Sequence, residues 1–196
     1  MSGQLVSMIE PIREKHARAY SAWVEQMAQA FPDGAPEHVF QIRSQTNLAR
    51  KVYRVDYAIS LTDKPEFREF RLDSMVGFTP VSGMVDDIHV ALSPFRWDGA
   101  VVELEGAVWD VDKVMGWFNH WFGFRGELPL PSRGDRTGGW IHACAKVGEA
   151  LHVDFGSAPA SAFGELIALA GRTGASRVVI RDANYVPADG IPGAPQ

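Results

Sequence analysis

The sequence predicts an α+β protein built in two closely packed parts, and three observations carry that reading. Apolar residues recur at helical spacing from Leu5 to Phe31. From His38 to Leu92 the period drops to two. From Ala100 onward, segments of both periods follow one another in the order β-α-β-β-α-β. That succession is the split βαβ, or ferredoxin-like, pattern. Residues 1–98 are then an N-terminal helix on an antiparallel meander, and residues 99–185 a ferredoxin-like α+β unit. Residues 186–196, "VPADGIPGAPQ", are rich in Pro and Gly and read as a flexible tail.

The first helix carries its apolar stripe on Leu5, Ile9, Ile12, Tyr20, Trp23, Met27 and Phe31. Pro11 is expected in the first turn, where its missing N–H costs least. The turn residues of "FPDGAP" end the helix. His16 lies on the stripe and reads as a core-edge histidine bonded to a neighbour. In "VYRVDYAISL", Tyr53, Val55, Tyr57, Ile59 and Leu61 share one face, with Arg54, Asp56 and Ser60 opposite. "DIHVAL" sets Ile88, Val90 and Leu92 against His89, and "EFREFRLDSMVGF" between them is a less regular strand. Turns at "LTDKP" and "PVSG" make these an antiparallel meander, covered by the first helix.

"SPFRWDGA" separates the two parts. Beyond it, "AVVELEG" is a strand and Asp110 to Phe122 a helix. "WIHACAKV" and "ALHVDFG" form a hairpin turning near Gly148. "SAFGELIALAGRT" is the second helix of this unit and "SRVVIRDA" its last strand. On the first of these helices, Val111, Val114, Met115, Trp117, Phe118, Trp121 and Phe122 fall within an arc of roughly 160°. Asp110 suits the N-cap and Gly123 the C′ position. Trp117 and Trp121 sit together at one edge of the arc. They can cover the other part of the chain, join a subunit interface or stack on a ligand.

Composition narrows the function. Of 196 residues, 46% are hydrophobic, enough for a core without cross-links, and the single Cys144 excludes an internal disulfide. With no signal-peptide pattern and no long apolar run, the expected setting is cytoplasmic, with no membrane partner. A formal charge of −5 and no basic cluster argue against a nucleic-acid partner. A protein partner, a second copy of the chain, or a small anionic ligand remains.

Two places offer chemistry. The loop from Gly123 to Gly139 sets Arg125, Arg133 and Arg136 among glycines, where N–H groups and guanidinium groups can hold an anion. It matches no phosphate-binding motif. The second place is the open face of the second sheet. If Ile141, Ala143 and Ala145 face the helices with Leu151, Val153 and Phe155, then His142, Cys144, His152 and Asp154 share the other face. This register needs a hairpin loop of three residues or more, because a two-residue turn at Gly148-Glu149 reverses it. Glu103, Glu105 and Arg181 join that face from the flanking strands.

Histidines and carboxylates at alternate strand positions can bind a transition metal or pass protons. A cysteine beside a histidine can be an activated thiolate. The ordinary alternative is a solvated face with cross-strand pairs. No diagnostic spacing names a cofactor or metal.

Two function classes follow. One is a cytosolic binding or regulatory protein acting through a protein or small anionic-ligand interface, with Arg125, Arg133, Arg136, Trp117 and Trp121 as contacts. The other is an enzyme using acid–base or metal-assisted chemistry on the open face, with His142, His152, Asp154, Cys144, Glu103 and Glu105 as its catalytic set.

Overall fold

The computed structural model describes residues 3–60, 64–124 and 137–184. The described residues form a mixed α+β fold with three α-helices and two sheets. α1 spans Gly3–Ala30, so Pro11 lies inside the helix, on its exposed side, and not in the first turn. Its buried positions, Ile9, Ile12, His16, Tyr20 and Val24, are spaced three or four residues apart. The stripe spans two cores. Ile9 and Ile12 belong to the main one, while Tyr20 and Val24 join Tyr57 in a smaller one. His16 falls between them.

β1 (Ala35–Gln41), β2 (Val52–Ser60) and β3 (Glu66–Arg68) form an antiparallel meander in that order. The second sheet has six strands, β4 (Val81–Val85), β5 (Ile88–Leu92), β6 (Ala100–Glu105), β7 (Ala143–Val147), β8 (Ala150–Asp154) and β9 (Arg177–Asp182). Their order is β4-β5-β9-β6-β8-β7, and only the β5–β9 pair is parallel. The period-two stretch is therefore divided between the sheets. β5 joins the second because Val90 and Leu92 pair with Val178 and Ile180 over the same core.

α2 (Val111–Phe122) and α3 (Ala160–Gly171) pack on each other. The Asp110 carboxylate accepts the Lys113 N–H at 3.2 Å, and Gly123, at φ 75, ends α2 in the left-handed conformation. Trp97 stacks on Phe155 at 4.6 Å, with Phe163 against both.

The two sheets meet along β7. The N–H of Arg54 donates to the His142 carbonyl at 2.8 Å, and Leu48 bridges to Ala145. This covers a sheet edge that would otherwise be open. The Arg54 guanidinium donates to the carbonyls of Glu37 and Phe122, both at 2.7 Å. It lies over the rings of Phe122 and Trp140 at 4.7 and 4.9 Å. One side chain thereby ties β1, β2 and the end of α2 together. Among the described residues, no helix is long and apolar enough to cross a membrane.

Candidate functional site

His142 sits at the seam between the sheets. β1 and β2 bring Glu37 and Asp56 to facing positions, between the pairs Pro36–Tyr57 and His38–Val55. Glu37 has φ 50, a left-handed conformation uncommon outside glycine. Its Oε1 lies 3.0 Å from His142 Nε2. The same carboxylate accepts hydrogen bonds from the Ser157 hydroxyl and the Gly138 N–H. Across the ring, His142 Nδ1 lies 2.9 Å from Asp56 Oδ1.

The segment after β8 closes the cage. The His142 N–H donates to the Asp154 carbonyl at 2.9 Å. Gly156, at φ 49, passes so near that a Cβ there would overlap the imidazole. Tyr20 meets the ring edge-on at 5.6 Å.

Burial alone would keep His142 neutral. Its contacts with Asp56 and Glu37 outweigh that, so its pKa is raised well above 6.5 and the ring is an imidazolium. Burial likewise opposes ionisation of Asp56. The contact and charge of His142 win, helped by the Phe70 N–H donating at 2.6 Å, and Asp56 is held below 3.8.

A cavity of about 420 Å³ opens beside this cage, with His16, Asp56, Glu69, Arg71, Asp98 and Asp154 among its walls. Glu69 is exposed overall, yet partial desolvation on its cavity side, with the charge and hydrogen bond of Asp56, pushes it up to about 8. Burial pushes Asp154 up to about 7 against the pull of His142, and raises Asp98 as well. His16 moves the other way, down to about 4, through burial and the charge of His142. It is 2% exposed, and neither ring nitrogen makes a hydrogen bond of good geometry among the described residues. Its neighbours are the rings of Tyr20, stacked at 5.8 Å, and Phe70, edge-on at 5.5 Å, with the Gly156 backbone as its weak hydrogen-bonding contact.

A cleft of about 530 Å³ beside α3 is roomier, but its walls include Val85, Ile88, Ile167 and Ala168 and carry fewer groups able to do chemistry. The seam cavity gathers four carboxyls, a neutral histidine and two arginines, Arg71 and Arg96, and is the candidate site.

The predicted site residues are only partly brought together. Glu103, Glu105, His152, Asp154 and Arg181 do share one face of the second sheet, since Val101 pairs with both His152 and Arg181. On that face Glu103 pairs with Arg181 at 2.6 Å and Glu105 with Arg177 at 3.5 Å. These are cross-strand ion pairs, and Asp154 alone of the set lines the cavity. His142 leaves the sheet for Glu37 and Asp56, and its link to Asp154 is through the backbone.

The expected hairpin register is overturned. Cys144 pairs with Val153, and Ala145 with His152, because the chain turns on two residues, Gly148 and Glu149, between Val147 and Ala150. Gly148 at φ 59 suits so tight a turn. Cys144 is thus on the helix side, 1% exposed, with burial pushing its thiol up to about 12. It is a neutral apolar group there, not a thiolate beside a histidine. Hydrophobicity alone puts Ala143 and Ala145 in the core. They lie instead on the other face, paired with Asp154 and His152, and residues 47–48 come against β7 at Ala145 and Lys146, with the Lys146 N–H donating to the Asn47 carbonyl at 3.2 Å.

Trp117 and Trp121 are buried against α3. Their indole N–H groups donate to the Ala162 carbonyl at 2.9 Å and to Glu165 Oε2 at 2.8 Å. The aromatic edge therefore packs within the second part. Arg125, Arg133 and Arg136 lie outside the described residues.

Sequence reasoning passed over Glu37, Asp56, Glu69 and Asp98. Asp56 left a signal: a carboxylate in the middle of an apolar strand needs a partner. Among the described residues, no group of three or more His, Cys, Asp or Glu is arranged to hold a metal ion. No protein-family model, curated protein or solved structure matches the chain.

Proposed function

We propose that this protein binds a small zwitterionic ligand of amino-acid size in the seam cavity. The observation that carries the reading is that four carboxyls, Asp56, Glu69, Asp98 and Asp154, line one open space with two arginines, and the half-buried Asp154 is pushed up to about 7 there. A carboxyl that keeps its proton through burial and a neighbouring carboxylate is a site short of positive charge. An ammonium group entering the cavity takes the place of that proton. Arg71, which makes no ion pair among the described residues, is the partner for the ligand's carboxylate. The binding class expected from the sequence is kept, with a basic nitrogen added to the ligand's acid.

The test is calorimetric titration with free amino acids at pH 7, in two buffers of different ionisation enthalpy. Binding should release about one proton per ligand. Asp154→Asn should weaken it about tenfold. No heat and no thermal shift with any amino acid, simple amine or carboxylate overturns the reading.

One observation favours a second reading, acid–base catalysis. The cavity sets the protonated Asp154 near the ionised Asp56 and the neutral His16, an acid with two bases. Groups whose environments push their pKa values apart are the arrangement that proton transfer uses. A ligand recovered chemically changed after incubation selects this reading over simple binding.

We also propose that the unit from β6 to β9 is ferredoxin-like. Its strand order, β9-β6-β8-β7 with every neighbour antiparallel, supports this.

A further inference from the structure

We propose that the cleft between residues 47–50 and α2 is a second ligand site, which takes a small apolar carboxylate. The cavity, about 250 Å³, has walls of Leu48, Val114, Met115 and Leu151, with Cys144 buried at its base. It is independent of the seam cavity. Leu151 and Asp154 point to opposite faces of β8, so the strand feeds one site from each side.

Two groups define the ligand. Trp109 lines the cleft and is 3% exposed, yet its indole N–H has no hydrogen-bond partner among the described residues. A buried indole N–H is ordinarily paired, so it marks where an acceptor oxygen fits. Arg50 also lines the cleft, and among the described residues it bonds only to the neutral Asn119, at 3.2 Å. Among the described residues its charge has no carboxylate partner, although the chain is acidic overall.

The lip that carries Arg50 is held in an unusual shape. Arg50 and Lys51 both have positive φ, 52 and 53. Consecutive left-handed residues outside glycine persist only where surrounding contacts impose them. Here the Lys51 N–H donates to the Leu48 carbonyl at 3.1 Å and the Ile42 N–H to the Lys51 carbonyl at 2.7 Å, and Leu48 is itself bridged to Ala145. An apolar ligand body between these walls puts one carboxylate oxygen on the Trp109 N–H and the other toward Arg50. Cys144, neutral at its base, contributes apolar surface and no covalent step.

The test uses hexanoate and benzoate on the full chain, with hexylamine as the charge-reversed control. Their binding is followed by the indole ¹H–¹⁵N resonances and by the rate at which a thiol reagent reaches Cys144. Either carboxylate should shift the resonance that Trp109→Phe removes, and should slow thiol modification. Hexylamine should do neither. Trp109→Phe and Arg50→Gln should each weaken the carboxylates about tenfold. No resonance shift, equal binding of hexylamine, or unchanged affinity in Trp109→Phe overturns the assignment. Should Trp109→Phe not fold, the exposed Arg50→Gln decides, and unchanged affinity there overturns it equally.

Discussion

Asp56 stands between two groups of ionisable side chains whose protonation is settled in opposite ways. On one side, the imidazolium of His142 lies between the carboxylates of Glu37 and Asp56, at 3.0 and 2.9 Å. On the other, Glu69 and Asp154 face the cavity and hold protons in place of counter-ions. The cage is the deeper of the two, with His142, Glu37 and Asp56 at 1%, 5% and 7% exposed, whereas Asp154 is half-buried and Glu69 exposed. The supply of positive charge separates them as well. The cage has a cation between its carboxylates and acts as a pin joining β1, β2 and the segment after β8. The cavity has carboxyls in excess, and a group that must hold a proton to stay buried responds to pH and to any cation that arrives.

The largest effect should come from breaking the pin. His142→Ala leaves Glu37 and Asp56 buried with no cation between them. Removing one partner of a buried ion pair typically costs about 3–5 kcal/mol. The loss should appear as a lower urea midpoint with an unchanged slope. A loss below about 1 kcal/mol would mean that the carboxylates protonate freely, and that the cage is no more closed than the cavity.

How much of this was legible follows the range of the interactions. α2 was readable because its period, its Asp110 cap and its Gly123 stop all lie within a few residues and agree. The succession of strands and helices from Ala100 to Asp182 was readable for the same reason. The β7–β8 register was not, because alanine is apolar enough for a core and small enough for a contact with neighbouring backbone, and a one-residue choice moves every side chain to the other face. The cage was least accessible. His142 and Glu37 are 105 residues apart, and Glu37 reaches the ring from a backbone conformation that no local pattern announces.

A smaller effect, visible only as a function of pH, should come from the cavity. The carboxyl of Asp154 titrates at about 7 in the folded protein, against 3.8 ordinarily. Between those values the folded chain holds a proton that the unfolded chain has lost, so this group's contribution to stability falls as pH rises from 3.8 to about 7 and then levels off. Asp154→Asn keeps an oxygen for the Gly156 N–H, now 2.8 Å from Oδ1, and removes the titration. The variant should match the parent near pH 4 and melt several degrees higher at pH 9, since about 1 kcal/mol moves the midpoint of a chain this long by roughly 2–4 °C. A constant difference across the range would place the proton elsewhere. His16 has the opposite sign. Its folded value of about 4 lies below 6.5, so its contribution is lost as pH falls from 6.5 to about 4. That slope should survive in Asp154→Asn.

The smallest effect should come from the ion pairs on the rest of the open face, which are a third way of keeping charge. Glu103 and Arg181 are 2.6 Å apart, closer than either contact in the cage, yet their side chains stay 34% and 28% exposed. Water already solvates both groups, so the pair gains little over its separated members, and salt screens what it gains. Glu103→Gln should cost less than about 1 kcal/mol, and less still in high salt. It should leave ligand binding in the seam cavity unchanged, because Glu103 does not line that cavity. A loss near that of His142→Ala would show that the open face is sealed from water, and would return Glu103 and Arg181 to the functional set. Separation within a pair is therefore a poor guide to its importance here. Whether water or a second charge completes each group's surroundings decides which pair holds the fold and which only decorates it.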